Sequence, residues 1–462
     1  MTPQPDRNPP KGARWLLKIL ANRDEKSAIL GDLNEEFSEM AASKGLFQAA
    51  LWYWTLVLAS IPSFIRHTLF WSFTMFKNHL KVALRVVKRH RAFSFINIAG
   101  LSLGLAASLL LGIYLKHELS FDRHHKKAER IYRVCARVGV TDEFRGAWTT
   151  PPMAAAMKAE LPEIQETVRL SIWPRTILVN SQEKSFLESG IIFADSSIFD
   201  VFTLPLIMGD PQTALTEPNA IVVSQAIAQK YFGNSNPLGR TLNFQDRNQE
   251  FKINGVIQDC SPTSHFQYDM IASLVSQKSS RDTSWGGHTY FTYLLLHPDK
   301  DSADLEDKFP DFVKRHWGAY IEADTGMSLD ELMKDERYQY GYFLEPLLDI
   351  HLNPKVTDSL SVKGSPASIY IFTSIALIIL LVACINFMNL STARFAHRFK
   401  EVGVRKVLGS NRKQLIFQFL GESSLLAFLA LGLSLLLIPL LLPAFGSLAQ
   451  RELSLSILLD PT

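Results

Sequence analysis

The stretch Phe95–Leu115 reads FINIAGLSLGLAASLLLGIYL, 21 residues without a charged side chain. A helix needs roughly 20 apolar residues to cross the hydrocarbon of a bilayer. A buried helix of a soluble domain would show a polar face, which this run lacks. It predicts a membrane span. Two further uncharged runs repeat the pattern: Ser365–Ala393, centred on IFTSIALIILLVACINF, and Ser423–Gln450, centred on LLAFLALGLSLLLIPLLL. The chain of 462 residues is 47% hydrophobic and 20% charged. Because its apolar residues gather in these blocks, a wholly soluble enzyme and a disordered chain are both excluded.

A fourth block, Leu46–Ile65, is long enough to span but carries Trp52, Tyr53 and Trp54 together and Pro62 near its end. Indole and phenol rings favour the headgroup level. With Phe70, Trp71 and Phe73 following, the reading is a helix lying in the interface. Orientation follows from lysine and arginine bias. Lys77, Lys81, Arg85, Lys88, Arg89 and Arg91 precede the first span. Arg394, Arg398, Lys400, Arg405, Lys406, Arg412 and Lys413 follow the second, against the single acid Glu401. Both clusters are therefore expected in the cytoplasm, against membrane lipid. A nucleic-acid surface would explain neither their place beside spans nor the lack of an aromatic platform. The segment from Lys116 to Gly364 is then expected outside.

That outer segment reads as a folded α+β domain in two lobes. Ala154–Leu161, Ser224–Tyr231, Asp304–Trp317 and Ser328–Tyr338 are expected helices. Thr176–Val179, Phe251–Ile257 and Tyr290–Leu296, rich in β-branched and aromatic residues, are expected strands. Turns are marked at Gly209-Asp210, Asn236-Pro237 and His297-Pro298. Three cysteines, Cys135, Cys260 and Cys384, make neither a disulfide scaffold nor a four-cysteine zinc site. The first two share a compartment that permits a bridge, but nothing in the sequence pairs them. Residues 1–45, a Pro-rich tail and a mixed-charge stretch, show no signal-peptide pattern and read as a helical cytoplasmic prefix.

A search for catalysis returns little. Gly233-Asn-Ser-Asn-Pro-Leu-Gly239-Arg240-Thr241 has one residue too many, and an arginine for the lysine, to be a phosphate loop, and reads as a turn. His117-Glu118 lacks a second zinc ligand one helical turn on, because position 121 is Phe. His124 and His125 read as surface histidines beside a membrane. No nucleophile elbow or CxxC pair is present. No catalytic, metal or cofactor-binding residue is assigned.

After the second span the chain reads CINFMNLSTARFAHRFKEVGVRKVLGSNRKQLIFQFLGES. It predicts a helix leaving the membrane and then a short amphipathic helix with Val404, Val407 and Leu408 on one face, stopped at Gly409. Asn411 onward starts the third span, with Glu422 one turn inside it. An apolar-faced helix between basic flanks is a docking element for a partner or for the membrane surface. This segment, Glu401-Val-Gly-Val-Arg-Lys-Val-Leu-Gly409 with Gln414-Leu and Gln418-Phe-Leu-Gly-Glu-Ser423, resembles the cytoplasmic signature of MacB/FtsX-type ABC transporter permeases. Phe95-Ile-Asn-Ile-Ala-Gly-Leu101 resembles the family's first span. Glu118-Leu-Ser-Phe-Asp122 with Arg130-Ile-Tyr-Arg-Val134 resembles the start of its periplasmic core domain. Ala220-Ile-Val-Val-Ser224, Tyr231-Phe-Gly233 and Pro237-Leu-Gly239 resemble a block within it. The likeness covers about residues 77–450, and the first 75 residues look like the prefix attached to some of these permeases.

The resemblance implies a permease subunit in a bacterial inner membrane that holds no ATPase of its own. ATP would be bound by a separate cytoplasmic ABC ATPase docked at about Ala396–Leu408, with Glu401, Val404, Arg405, Lys406, Val407, Leu408 and Gly409 as the coupling residues. Pairing as a homodimer or with a second permease half is implied as well. The corresponding division is a prefix over 1–76, a basic approach and first span over 77–116, and the outer core domain over 117–365. The second span follows over 366–393, the coupling segment over 394–414, the third span over 415–450, and the start of an outer loop over 451–462. The family half has four spans, so this reading expects a chain cut short before its fourth. The competing expectation is a membrane-anchored ligand sensor or binding protein, which would be expected to carry a cytoplasmic signalling element.

Overall fold

The structure, a computed structural model, describes residues 9–20, 26–60, 85, 91–140, 145–173, 176–181, 184–332, 334, 338–407, 412–451 and 453–455. It divides into two units: Met1–Leu105 with Val382–Leu435, and Ala106–Leu381 with Leu436–Thr462.

The first unit begins with helices α1 (Lys11–Leu20), α2 (Lys26–Lys44) and α3 (Leu46–Ser60). Ala13, Phe37, Ala49, Tyr53 and Val57 close a small core among them, and Phe37 meets Tyr53 edge-to-face at 5.8 Å. The expected interfacial helix is helical as far as Ser60; Pro62, Phe70, Trp71, Phe73 and most of the first basic cluster lie outside the described residues. Helix α4 (Arg91–Leu119) carries the first uncharged run. Within this unit it packs through Leu101 against Ala383 and Ala430, small residues that let helices approach closely.

The second unit is built on one mixed sheet. After α4 come β1 (Ile131–Val140), β2 (Arg145–Gly146), α5 (Met153–Glu160), β3 (Ile164–Ile172), β4 (Ile177–Asn180), β5 (Ser185–Glu188) and β6 (Ile191–Ala194). Then follow α6 (Ile198–Val201), β7 (Leu206–Met208), β8 (Ala220–Ser224), α7 (Gln225–Phe232), β9 (Thr241–Phe244), β10 (Gln249–Ile257) and β11 (Met270–Ser273). The set ends with β12 (Phe291–Leu296), α8 (Ser302–Glu306), α9 (Phe309–Thr325), α10 (Leu329–Leu332) and β13 (Tyr338–Pro346). The strand order is β13-β1-β12-β3-β6-β11-β8-β10-β9-β4-β5, with β2 on β1 and β7 on β10. Strands β6, β8, β11 and β12 are buried at every residue, as unbroken apolar runs require when both faces are covered. The two expected lobes therefore share one sheet. Helices α5 and α9 cover the end near β13 and β12, while α7 covers the end near β8 and β10.

Local chemistry sets several boundaries. Ser224 Oγ accepts from the Ile227 N–H to cap α7, and Gly233 (φ 58°) ends it. Gly209 (φ 94°) allows β7 to turn back, and a Cβ there would stand 2.4 Å from the Asn254 carbonyl oxygen. Two expectations are corrected. The helix expected over Asp304–Trp317 is two, α8 and α9, and α9 runs on to Thr325, where Gly326 (φ 74°) stops it. The helix expected over Ser328–Tyr338 lasts only from Leu329 to Leu332, because Tyr338 is drawn into β13 opposite Val140.

Helices α11 (Pro366–Val407) and α12 (Arg412–Ala449) carry the remaining apolar runs. Among the described residues three helices are long and apolar enough to cross a membrane, over Arg91–Leu119, Pro366–Leu390 and Phe419–Ala449. Within the second unit, Tyr114 meets Phe372 and Phe445 edge-to-face, and Leu110 and Ile113 pack with Ile438 and Leu442. The separate short helix expected after the second span is not formed. Residues 394–407 continue α11 without a break, since no proline interrupts them and Gly403 is tolerated at a cost of about 1 kcal/mol.

Candidate functional site

The three membrane helices meet the sheet domain at one buried carboxylate. Glu118, in the last turn of α4, is 1% exposed. Its Oε2 lies 2.9 Å from His351 Nε2, and its Oε1 accepts from Arg451 Nε at 2.7 Å. His351 follows the turn after β13, and its Nδ1 lies 2.7 Å from the Val362 carbonyl oxygen. Arg451 stands two residues beyond α12, and its Nη2 donates to the Lys363 carbonyl at 3.0 Å. Gly364, two residues before α11, donates its N–H to the His351 carbonyl. A Cβ on Gly364 would stand 2.5 Å from His351 Nε2 and 2.6 Å from Glu118 Oε2, so only glycine fits against the pair. Phe121 stacks on the His351 ring at 3.4 Å. One side chain thus gathers the C-terminal ends of α4 and α12 and the N-terminal end of α11. Charge-assisted bonds of this kind are about twice as strong as neutral ones.

Two further polar groups lie just inside. Asp122 takes a left-handed conformation (φ 61°) and is fully buried. Its Oδ1 accepts from the His265 N–H and lies 2.9 Å from His265 Nδ1, while His265 Nε2 lies 2.8 Å from the Tyr293 hydroxyl. Burial pushes the Asp122 carboxyl up, but the charge and hydrogen bonds of His265 hold it below its usual value. His125 Nδ1 accepts from the Thr203 N–H, and burial, with His124 beside it, pushes His125 down to about 3. His125 is 2% exposed and His124 half-buried, so the surface placement expected for these two histidines is corrected: His125 packs against Phe202, and His117, equally buried, meets Phe121 edge-on. Among the described residues no three His, Cys, Asp or Glu side chains are grouped to hold a metal ion. On β1, Arg133 is fully buried, donates to Glu345 Oε2 and to Ser361 Oγ, and lies 3.0 Å from Asp358 Oδ2. Cys135 and Cys260 are free thiols, and burial pushes Cys260 up to about 12.

The coupling residues read from sequence belong to the first unit and take no part in this junction. Glu401, Val404, Arg405, Lys406 and Val407 are on the last turns of α11, and Leu408 and Gly409 lie outside the described residues. Val404 and Val407 are 60% and 89% exposed. Nothing local to Glu118-Leu-Ser-Phe-Asp122 marks the junction in the sequence, because the partners of Glu118 stand 233 and 333 residues away.

The family model described as MacB-like periplasmic core domain matches residues 94–312, and that described as FtsX-like permease C-terminal matches residues 373–462. The chain is a MacB/FtsX-type ABC transporter permease. The permease is 25% identical to the macrolide export ATP-binding/permease protein MacB of Aggregatibacter actinomycetemcomitans over 53% of its own length and 34% of that relative. It therefore spans about a third of the length of the curated relatives it matches. Among solved structures, a domain of a Porphyromonas gingivalis permease protein aligns with 54% of the chain and 99% of that domain at 19% identity, with a TM-score of 0.42. The periplasmic region of MacB from Actinobacillus actinomycetemcomitans aligns with 48% of the chain and 91% of its own at 17% identity, with a TM-score of 0.33. The matched stretches are the permease part, and its sheet domain is the MacB-like periplasmic domain.

Proposed function

We propose that this permease is the membrane subunit of an export or mechanotransmission complex in the bacterial inner membrane. Its motor is a separate cytoplasmic ABC ATPase, which binds the ATP. The observation that carries the reading is α11, helical without interruption from Pro366 to Val407. At 1.5 Å per residue its 42 residues amount to about 60 Å of helix measured along its axis. One end starts two residues from Gly364 in the Glu118 junction; the other presents Val404 and Val407 to solvent between basic residues. A partner that closes on ATP and grips that end moves the rod as a body, and the junction passes the movement to the sheet. Interfaces of this kind switch between discrete packings rather than deforming smoothly. The second span, only 6% buried, leaves a face for lipid or for a second copy of the chain.

The test separates docking from transmission. In the assembled complex, adding ATP is expected to change hydrogen exchange at residues 115–122 and 350–365. Thr392→Pro, in an exposed turn of α11 beyond the span, is expected to leave ATPase co-purification intact while making that exchange independent of nucleotide. Nucleotide-dependent exchange that survives the proline would overturn the rod mechanism, and failure of any ABC ATPase to bind would overturn the proposal as a whole.

A further inference from the structure

At the far end of the periplasmic sheet, no described strand pairs with the outer side of β13. Strand β13 pairs with β1 alone among the described strands. In an antiparallel pair, alternate residues bond to the neighbour and the others point their backbone away. Leu344 N–H donates to Glu306 Oε1 at 2.6 Å instead of to β1. Leu344 therefore faces outward, and Tyr342, two residues along, shares that parity.

A cavity of about 640 Å³ lies along this edge. Its lining comes from both faces of the sheet. Tyr342 belongs to the core beneath α9, whereas Phe343 packs on the opposite core. The Arg137 guanidinium lies 4.8 Å above the Phe343 ring. A cavity that touches both faces of a strand follows its edge. Tyr342 is only 7% exposed, yet its hydroxyl has no hydrogen-bond partner among the described residues, and neither has the buried Nε of Arg137. Leaving a buried hydroxyl unpaired is unfavourable, so the position is suited to a ligand that supplies the partner. The rim is acidic. Glu306, Asp307, Asp311 and Asp330 face Arg137 and Lys314 across it. Glu306 is engaged by Leu344 and Asp330 by Lys314, which leaves Asp307 and Asp311 exposed, with no ion pair among the described residues.

We propose that the open edge of β13 is a docking site for an extended, basic peptide segment of a partner protein, which adds a strand at Tyr342. Main-chain bonds to an exposed edge give such segments their affinity, and alternate side chains give specificity. Here one set of side chains runs toward α9, where lysine or arginine heads reach Asp307 and Asp311. The other set lies on Phe343. This inference does not depend on the ATPase reading, since it concerns only the periplasmic sheet.

The test uses the full chain in nanodiscs and a fluorescein-labelled hexapeptide of alternating valine and lysine, followed by anisotropy. Binding is expected, and N-methylation of alternate peptide amides is expected to weaken it by about tenfold or more, because each blocked amide removes a strand bond. The valine–glutamate counterpart is expected not to bind. Asp307→Asn combined with Asp311→Asn is expected to weaken binding several-fold, and Tyr342→Phe by a smaller factor. Equal binding of the N-methylated peptide, or full competition by butylamine, would show a pocket for small cations and overturn the strand. No binding of the valine–lysine peptide would overturn the site outright. Because the peptide comparison is made on the unmodified protein, it decides the matter even where a variant misfolds.

Discussion

The two ends of α11 are built on opposite principles. Near Pro366 the Glu118 carboxylate is buried and paired with His351 and Arg451, beside a glycine that leaves no room for a side chain. Near Val407 two apolar side chains stand in solvent on a basic helix. Buried ionic groups hold a geometry because breaking one leaves an unpaired charge in low dielectric. Exposed apolar side chains on a charged surface gain stability only when something covers them. The difference teaches that the first end is finished by the chain itself, whereas the second leaves Val404 and Val407 uncovered among the described residues, where the proposed ATPase would dock.

The comparison breaks most sharply at Glu118. Glu118→Ala leaves Arg451 and His351 unmatched and is expected to lower stability by about 3–5 kcal/mol, read as a large fall in the thermal midpoint of the purified permease. ATPase co-purification should persist. A midpoint within a degree of the unmodified protein would remove the junction from the argument.

Acid sharpens the contrast on the periplasmic side. His125 is held near 3 when folded, against 6.5 ordinarily. Between those values the unfolded chain binds a proton that the folded chain refuses, so stability present above about pH 6.5 is lost as pH falls, by up to ~1.4 kcal/mol per pH unit. Asp122, held low, adds a loss in the same direction below its ordinary value of 3.8. His125→Asn, which can still accept from Thr203, should flatten the slope of the thermal midpoint between pH 6.5 and 4. An unchanged slope would place the acid sensitivity elsewhere.

At the other end the effects are smaller and of another kind. Arg405→Glu with Lys406→Glu is expected to weaken ATPase retention about tenfold, equivalent to ~1.4 kcal/mol, with insertion unchanged. Smallest of all, Val404→Ser with Val407→Ser should alter stability by no more than about 0.5 kcal/mol while reducing ATPase retention a few-fold. A stability loss like that of Glu118→Ala would mean that this end, too, is internally covered.

Much of the fold was legible because its signals are local. The uncharged runs, the Ser224 cap, the Gly209 turn and the buried strands β10 and β12 each depend on neighbouring residues. The misreadings share a physical cause. Tyr338 has aromatic, helix-compatible neighbours, but pairing with Val140 fixes it as strand. The coupling segment has the face of a short helix, yet nothing in its sequence ends the helix before it. The buried histidines looked like surface residues because their partners lie in other elements: His125 meets Thr203, and Glu118 meets His351 and Arg451. Polar residues next to a span carry no local mark of burial; only tertiary packing supplies it.

The junction also imposes an order on how the molecule is made. Glu118 and His351 can meet once the periplasmic sheet has crossed and folded, but Arg451 comes 333 residues after Glu118 and only beyond the third span. At about 5–20 residues per second, synthesis separates the two by tens of seconds. His351 comes 233 residues after Glu118, so over the last roughly 5–20 s of that interval the carboxylate has its histidine but not its guanidinium. Arg451, just beyond α12, is therefore the last piece of the junction to be made, and α12 joins α4 and the sheet only when it arrives.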